Sequence, residues 1–355
     1  RLVAEFVASC KKILVLEEPD AAIELQIADR RNVLGRLDGT VPNAGELSPD
    51  VLYPVLVRVL SDAGLGSSAL SKESNNTCEK LFNSLELPVR QPRLCPGCPH
   101  RSTFYSIRTV FPDALYPSDI GCYTLGTNQH AVDTCLDMGA AITVAAGIYH
   151  AYRLDRVIQP IVATIGDSTF IHSGVTGLAN AVHTGARFVL VILDNETTAM
   201  TGLQPTAAQT RLADGSDGIP LEISQLVRAC GVRFLREADP YSQDDFRAIL
   251  REAREFTRSD EGGIAVVIAK RACLLQASSR LHWHPIKMEI SDQCDGCKHC
   301  LLAFECPALV ENRVTNRIKI DRRMCVDCAQ CIHACHRGFI VESKTGEDSR
   351  IRDNK

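Results

Sequence analysis

Two tandem runs of closely spaced cysteines near the C-terminus constrain this chain more than any other feature. Cys294, Cys297 and Cys300 are separated by two residues each, with Cys306-Pro307 after five more; Cys325, Cys328 and Cys331 repeat the spacing, with Cys335 after three more. Sixteen cysteines in 355 residues are too widely spread for a small secreted disulfide framework, and Arg1-Leu2-Val3-Ala4-Glu5-Phe6 lacks a signal-type apolar core. Short-spaced thiols in such a chain point to metal ligation in a reducing, cytoplasmic setting. From about residue 288 long apolar runs give out, so bound ligands must supply folding energy that so small a core cannot.

Eight cysteines at this spacing fit two [4Fe-4S] clusters. In bacterial-type ferredoxins the fourth cysteine of each run ligates the other cluster. That rule assigns Cys294, Cys297, Cys300 and Cys335 to one cluster, and Cys325, Cys328, Cys331 and Cys306 to the other. The alternative is zinc, which usually takes two spaced pairs per ion, whereas triplets with an outlying fourth cysteine suit cubanes. Two details depart from the ferredoxin pattern: the long gap before Cys306-Pro307, and His336 where proline is usual after the last cysteine.

The rest of the chain reads as α/β. Its length, with 45% hydrophobic and 23% charged residues, suits two or three domains. A net charge of −4 from 39 basic and 43 acidic residues offers no footprint for nucleic acid or an anionic membrane. No segment approaches the roughly 20 apolar residues that span a bilayer. Residues 1–65 resemble the end of an α/β domain whose beginning is missing: a strand at Ile13-Leu14-Val15-Leu16, a helix ending in Arg30-Arg31, turn-rich Asp38-Gly39 and Pro42-Asn43-Ala44-Gly45, and a helix from Pro49 to Leu60. Residues 66–90 read as a linker. Over 91–275, strands alternate with helices; 161–165, 188–193 and 264–268 are apolar runs of strand length, as in a doubly wound parallel sheet covered on both faces. Residues 138–150, dense in Ala and Gly, read as a slim, close-packed helix. A linker (276–287), a cysteine-bearing α+β domain (288–345) and a tail (346–355) complete the expected order.

Gly166-Asp167-Ser168 ends one strong strand and Asp194-Asn195 ends the next, with a helical segment from Gly174 to His183 between them. Parallel strands put both tips on one sheet edge, where phosphates lie near a helix N-terminus. Asp167 and Asn195, 28 positions apart, are therefore expected side by side. A carboxylate, an amide oxygen and a backbone carbonyl are hard ligands suited to Mg²⁺, which completes its shell with phosphate and water.

This spacing resembles the GDG...N motif of thiamine-diphosphate enzymes, with Ser168 in place of the common glycine. The resemblance implies Asp167, Asn195 and the Thr197 carbonyl as magnesium ligands. The strings Gly166-Asp167-Ser168-Thr169-Phe170-Ile171-His172-Ser173-Gly174 and Asp194-Asn195-Glu196-Thr197-Thr198-Ala199-Met200-Thr201-Gly202 sharpen the match. With Cys95-Pro96-Gly97-Cys98-Pro99-His100-Arg101, Asp119-Ile120-Gly121-Cys122-Tyr123-Thr124-Leu125-Gly126 and the C-terminal cysteine runs, they make the chain similar, over nearly its whole length, to the 2-oxoacid:ferredoxin oxidoreductase family, α subunit of the indolepyruvate type. The likeness implies a thiamine-diphosphate-binding domain at 91–275, a ferredoxin-like 2[4Fe-4S] domain at 288–345, and a transketolase-C-like origin for residues 1–65. It places Thr201, Gly202 and Gly166 to Ser168 near the diphosphate, Gly121 and Cys122 near the cofactor's rings, and makes His100 and His172 candidates for orienting substrate or cofactor.

Relatives using pyruvate or 2-oxoglutarate hold a further [4Fe-4S] cluster with a CxxC, a GC and one late cysteine, and Cys95, Cys98, Cys122 and Cys273 occupy matching positions. The alternative is that Cys95 to Cys98 forms only a tight turn and Cys273 is an ordinary buried thiol. Cys10, Cys78, Cys135 and Cys230 have no partner spacing and read as structural. His130, His150 and His183 read as packed or solvated, and His282 and His284, beside Trp283, carry no role.

The implied reaction is oxidative decarboxylation of an aryl 2-oxoacid, with electrons leaving through the clusters to ferredoxin and coenzyme A taking the acyl group, under anaerobic conditions. The cofactor supplies the carbanion chemistry. The resemblance also implies a separate chain carrying the pyrimidine-binding domain and its activating glutamate, and a second γ- or β-type subunit, hence a hetero-oligomer. A pyruvate, 2-oxoglutarate or branched 2-oxoacid enzyme, or a non-catalytic electron-transfer module, are the alternatives.

Overall fold

The computed structural model describes residues 2–65, 80–81, 84–85, 91–156, 159–276, 285–312 and 314–343. Cys78, His282, Trp283, His284, the 346–355 tail, and most of both expected linkers lie outside the described residues. The chain divides into two compact units, 1–90 and 91–355.

In the first unit, helix α1 (Leu2–Ser9) precedes a two-stranded parallel pair, β1 (Ile13–Leu14) with β2 (Val33–Leu34), and helix α2 (Pro49–Asp62) follows. The helix expected to end at Arg30-Arg31 is not formed; only a 3-10 turn, Glu24–Gln26, is present. Side chains capture the backbone there instead: the Glu17 carboxylate accepts from the Ile23 and Glu24 amides, and the buried Glu24 carboxylate accepts from those of Arg36 and Leu37. Such bonds compete directly with helical ones.

The second unit is built on a six-stranded parallel sheet. Its strands are β3 (Pro117–Ser118), β4 (Thr134–Cys135), β5 (Val162–Gly166), β6 (Val189–Asp194), β7 (Phe234–Ala238) and β8 (Ala265–Lys270), in the order β4-β3-β5-β6-β8-β7. Alternate residues of the continuous apolar runs feed two separate cores, which is why those runs show no polar face. Val162, Val189, Val191 and Val267 pack beneath α3 (Pro99–Val110) and α7 (Gln243–Arg258), through Phe104, Ile107, Phe246 and Leu250. Ala163, Ile165, Leu190, Ile192 and Val266 pack on the other face beneath α4 (Ala140–Asp155), α5 (Val175–His183) and α6 (Ile223–Ala229). The sheet is doubly wound, as the pattern predicts, with each strand displaced one or two residues C-terminal to its apolar run.

Residues 288–342 carry two antiparallel pairs: β9 (Met288–Ile290) with β12 (Ile340–Glu342), and β10 (Leu309–Asn312) with β11 (Arg317–Ile320). Helix α8 (His299–Phe304) and a 3-10 helix, Gln330–Ala334, complete this region. Its core is small and includes Cys300 and Cys306 themselves.

This region is seated on α3 and α7 by polar contacts. Ser102 meets Gln330 at 3.3 Å, Gln243 Nε2 donates to Gln330 Oε1 at 3.0 Å, and the Tyr105 hydroxyl donates to the His333 carbonyl at 2.9 Å. Buried polar pairs of this kind fix one relative placement, because shearing them leaves unsatisfied donors at roughly 1–3 kcal/mol each.

Candidate functional site

The register of β5 on β6 pairs Gly166 with Leu193, so Asp167 and Asp194 leave adjacent strands at the same level and Asn195 follows at once. Asp167 opens a helical stretch that passes through a π segment, Phe170–Gly174, into α5. One cavity of about 50 Å³ is lined by Gly121, Cys122, Gly166, Asp167, Ser168, Asn195 and Thr197, among others. It has room for an ion and one end of a phosphate-bearing group, with the remainder of any cofactor lying outside it.

Asp167, Asn195 and Thr197 are each at least nine-tenths buried. The Thr197 amide reaches the Asn195 side-chain oxygen only at 3.4 Å, and one Asp167 carboxylate oxygen, Oδ2, has no hydrogen-bond partner. An orphaned, buried carboxylate oxygen is costly on its own and is what a hard divalent cation would satisfy. Burial pushes the Asp167 carboxyl up to about 7, with the charges of Asp194 and Glu196 adding to the shift. The donor set therefore fits Mg²⁺.

A raised folded-state value means the ion-free protein holds a proton here that the unfolded chain releases nearer pH 3.8. The group's stabilising contribution is present at acid pH and is lost as pH rises through about 7. A cation must displace that proton. Mg²⁺ affinity of the cofactor-free protein is accordingly expected to rise by up to tenfold per pH unit between about pH 5 and 7, then level off, in calorimetric titrations across that range. A flat profile would show that Asp167 is not the ligand.

Tyr123 shapes the cavity wall, a role that its place in the Asp119 to Gly126 string does not announce. A Cβ at Gly166 would stand 2.6 Å from its ring, and one at Gly121 2.5 Å, so both glycines are required by close approach. Its hydroxyl donates to the Ile120 carbonyl at 2.9 Å and lies 3.2 Å from the Asp119 carboxylate. Asp119, wholly buried, also accepts from the Ile120 and Gly139 amides.

The two histidines separate. His100 is 3% exposed, stacks edge-on against Tyr123 at 6.0 Å, and lines the cavity; burial lowers it to about 4, which keeps the ring neutral. His172 lies exposed on the π segment, outside the cavity lining. Thr201 and Gly202 are also exposed, at the tip of a hairpin closed by the Thr198–Gln204 bridge. Thr201 donates to Gln204 there at 2.7 Å, not into the cavity.

A second cavity, of about 560 Å³, adjoins the first. Cys95, Cys98, Cys122 and Cys273 all line it, and His100, Cys122, Asn195 and Ala199 line both cavities. The fold converges these distant cysteines by three devices. Cys98 caps α3 as its amide donates to the Cys95 carbonyl; Cys122 follows Gly121 into the 3-10 helix Cys122–Gln129; and the Cys273 amide donates to the Asn195 carbonyl at 3.0 Å, extending the β6–β8 pairing past the strand ends. Gly97, at φ +70°, lets the 95–98 turn pass under Leu274 and Val326, which a Cβ would strike at 2.5 and 2.6 Å.

The two C-terminal quartets are likewise brought together. Cys294, Cys297, Cys300 and Cys335 line one small cavity. Cys331 lies within electrostatic reach of Cys328, Cys306 and Cys325. Every cysteine among the described residues is a free thiol. Burial pushes Cys98 up to about 12, and Cys300 and Cys325 up to about 11, so the metal-free thiols stay protonated and loading must release protons. Among the described residues no three His, Cys, Asp or Glu side chains close on a point as ligands of a single ion would; a cubane takes one thiolate at each iron corner and holds its cysteines apart. Cys135 and Cys230 are spent on local bonds to the Asp119 and Val175 carbonyls. No helix among the described residues is long and apolar enough to cross a membrane.

Residues 119–269 match the family model of the thiamine pyrophosphate enzyme C-terminal TPP binding domain. Over 97% of its length the chain is 36% identical to indolepyruvate oxidoreductase subunit IorA of Archaeoglobus fulgidus, and over 96% it is 37% identical to the protein of that name from Methanothermobacter marburgensis. It spans about half the length of these curated relatives, 54% and 53%. Among solved structures, a 2-oxoglutarate:ferredoxin oxidoreductase from Magnetococcus marinus superposes with a TM-score of 0.46 at 18% identity, over 63% of this chain and 79% of that one.

Proposed function

We propose that this chain, whose residues 119–269 match the thiamine pyrophosphate enzyme C-terminal domain and which is similar over 97% of its length to an indolepyruvate oxidoreductase IorA subunit, is the cofactor-binding and electron-carrying part of a 2-oxoacid:ferredoxin oxidoreductase of the indolepyruvate type. The observation that carries this reading is the wall common to the two cavities: Cys122, Asn195 and His100 face both the Asp167 cavity and the four-cysteine cavity. A site for decarboxylation and a site for collecting electrons are thereby adjacent.

Bound thiamine diphosphate would supply the carbanion chemistry, and iron-sulphur clusters the one-electron steps. The chain's own residues do the rest. Asp167, Asn195 and the Thr197 carbonyl hold Mg²⁺ and, through it, the diphosphate, aided by the amides that open the helix at Asp167. Ser168 and Gly166 border that group and Gly121 and Cys122 the cofactor's rings, while Thr201 and Gly202, outside the cavity lining at the hairpin tip, would border only the part of the diphosphate that extends past the cavity. Neutral, buried His100 orients substrate or cofactor as a hydrogen-bonding group, and His172 does so only if a neighbouring chain closes over it. Cys95, Cys98, Cys122 and Cys273 take the first electron carrier, and a ferredoxin-like domain at 288–345 takes two [4Fe-4S] clusters, on Cys325, Cys328, Cys331 and Cys306, and on Cys294, Cys297, Cys300 and Cys335. The partially exposed second quartet, with Cys297 at the surface, is where ferredoxin would be reduced.

The reading also calls for a pyrimidine-binding domain with an activating carboxylate and for a second subunit, in a cytoplasmic, oxygen-free setting. Substrate choice is tested with the complete complex, coenzyme A and ferredoxin: turnover of indolepyruvate and phenylpyruvate is expected to exceed that of pyruvate and 2-oxoglutarate by at least tenfold in kcat/KM. A preference for pyruvate or 2-oxoglutarate would move the protein to another branch of the family.

A further inference from the structure

Arg101 follows the Cys95 to Cys98 turn and is 2% exposed, among the largest fully buried side chains of the chain. Its guanidinium is wedged between the two cysteine systems. One end donates to the Leu94 carbonyl and to that of Cys95 at 3.3 Å; the other donates to the Phe304 carbonyl at 2.9 Å and to that of Glu305. The first pair belongs to the segment carrying Cys95 and Cys98, the second to the end of α8, one residue before Cys306.

No ion pair joins this cation among the described residues. The nearest acidic side chain in sequence to its acceptors, Glu305, turns away to Arg93 at 3.2 Å, and the Arg101 Nε has no partner at all. A buried cation held only by neutral carbonyls is expensive and calls for negative charge nearby. Among the described residues, the Cys98 and Cys328 thiols, one from each cysteine system, lie within the field of Arg101.

We infer that Arg101 is a positioning residue for electron transfer, whose fixed charge between the Cys95/Cys98/Cys122/Cys273 and Cys306/Cys325/Cys328/Cys331 quartets stabilises the reduced state of the clusters they hold. The inference rests on the proposed cluster assignment. A cluster gains one negative charge on reduction, and a fixed positive charge in a low-dielectric interior favours that form, raising its potential. The same four carbonyl bonds fix the separation of the two carriers, so position and charge act together.

The test uses the complete complex, purified anaerobically, with Arg101→Gln and Arg101→Lys variants, iron and sulphide analysis, and redox titrations followed by electron paramagnetic resonance. In R101Q with full iron content, the reduced-to-oxidised ratio of at least one of these clusters, at fixed poise, is expected to fall on the order of tenfold or more. R101K retains the charge and is expected to titrate close to the unmodified protein while melting at a lower temperature. R101Q with full iron and unaltered potentials would overturn the inference, as would R101K with full iron shifted as far as R101Q. Loss of iron from both variants would overturn it too, leaving a structural clamp. Failure of the cluster assignment itself shows separately, as absence of iron from the unmodified complex.

Discussion

Replacing Asp167 with asparagine is expected to abolish retention of magnesium and thiamine diphosphate while making the cofactor-free protein more stable. Both effects come from one fact: an acid buried at the tip of β5, with an unpartnered oxygen and a pKa pushed up to about 7. Above that pH the empty site holds an uncompensated charge, and the amide of asparagine removes it. The same change deletes the one anionic ligand in the set. Even a group that merely supports a metal ligand is worth 10- to 100-fold in affinity, so the loss is expected to be on the order of a hundredfold or more. Isothermal titration with Mg²⁺ and thiamine diphosphate, beside thermal melts of the cofactor-free protein at pH 8, checks both signs. A variant that binds normally would remove Asp167 from the site.

The second large effect is expected at Cys331. This thiol is surrounded by Cys328, Cys306 and Cys325, and burial holds its pKa well above the ordinary range. Changing it to alanine should remove about four irons per chain, one cubane's worth. The region around it has a core of few residues, two of them cysteines, so the proposed cluster is expected to supply much of its folding energy. Limited proteolysis of the variant should cut within 285–343 and leave the parallel-sheet domain intact. Full iron content in the variant would remove Cys331 from the proposed ligands.

Much of this arrangement was legible in the sequence because the informative residues act through short-range rules. Apolar runs of strand length declare a doubly covered parallel sheet, and a parallel sheet with right-handed crossovers puts consecutive strand tips on one edge. Asp167 and Asn195 therefore meet without further information. Cysteine triplets declare the two runs, while the fourth member of each proposed quartet rests on the ferredoxin rule.

What was not legible depended on contacts between residues with no fixed spacing. The packing of Tyr123 against Gly121 and Gly166, and the reach of Arg101 from α3 to the end of α8, are set by tertiary approach alone. The segment after β1 misleads for a local reason: its helical composition is overridden by the Glu17 and Glu24 carboxylates, which take backbone amides that a helix would use. For His172 the motif fixes sequence position but not facing, and on the π segment it lies exposed.

The proposed centre of the molecule is a divalent-ion site at two strand tips with cluster-binding thiols beside it. Anaerobic purification of the complete native complex, followed by quantitation of thiamine diphosphate, iron and sulphide, tests it most directly. One thiamine diphosphate and about 12 irons per copy of this chain, four per cubane, is the result expected. A complex with no thiamine diphosphate, or with zinc in place of iron on these cysteines, would contradict it.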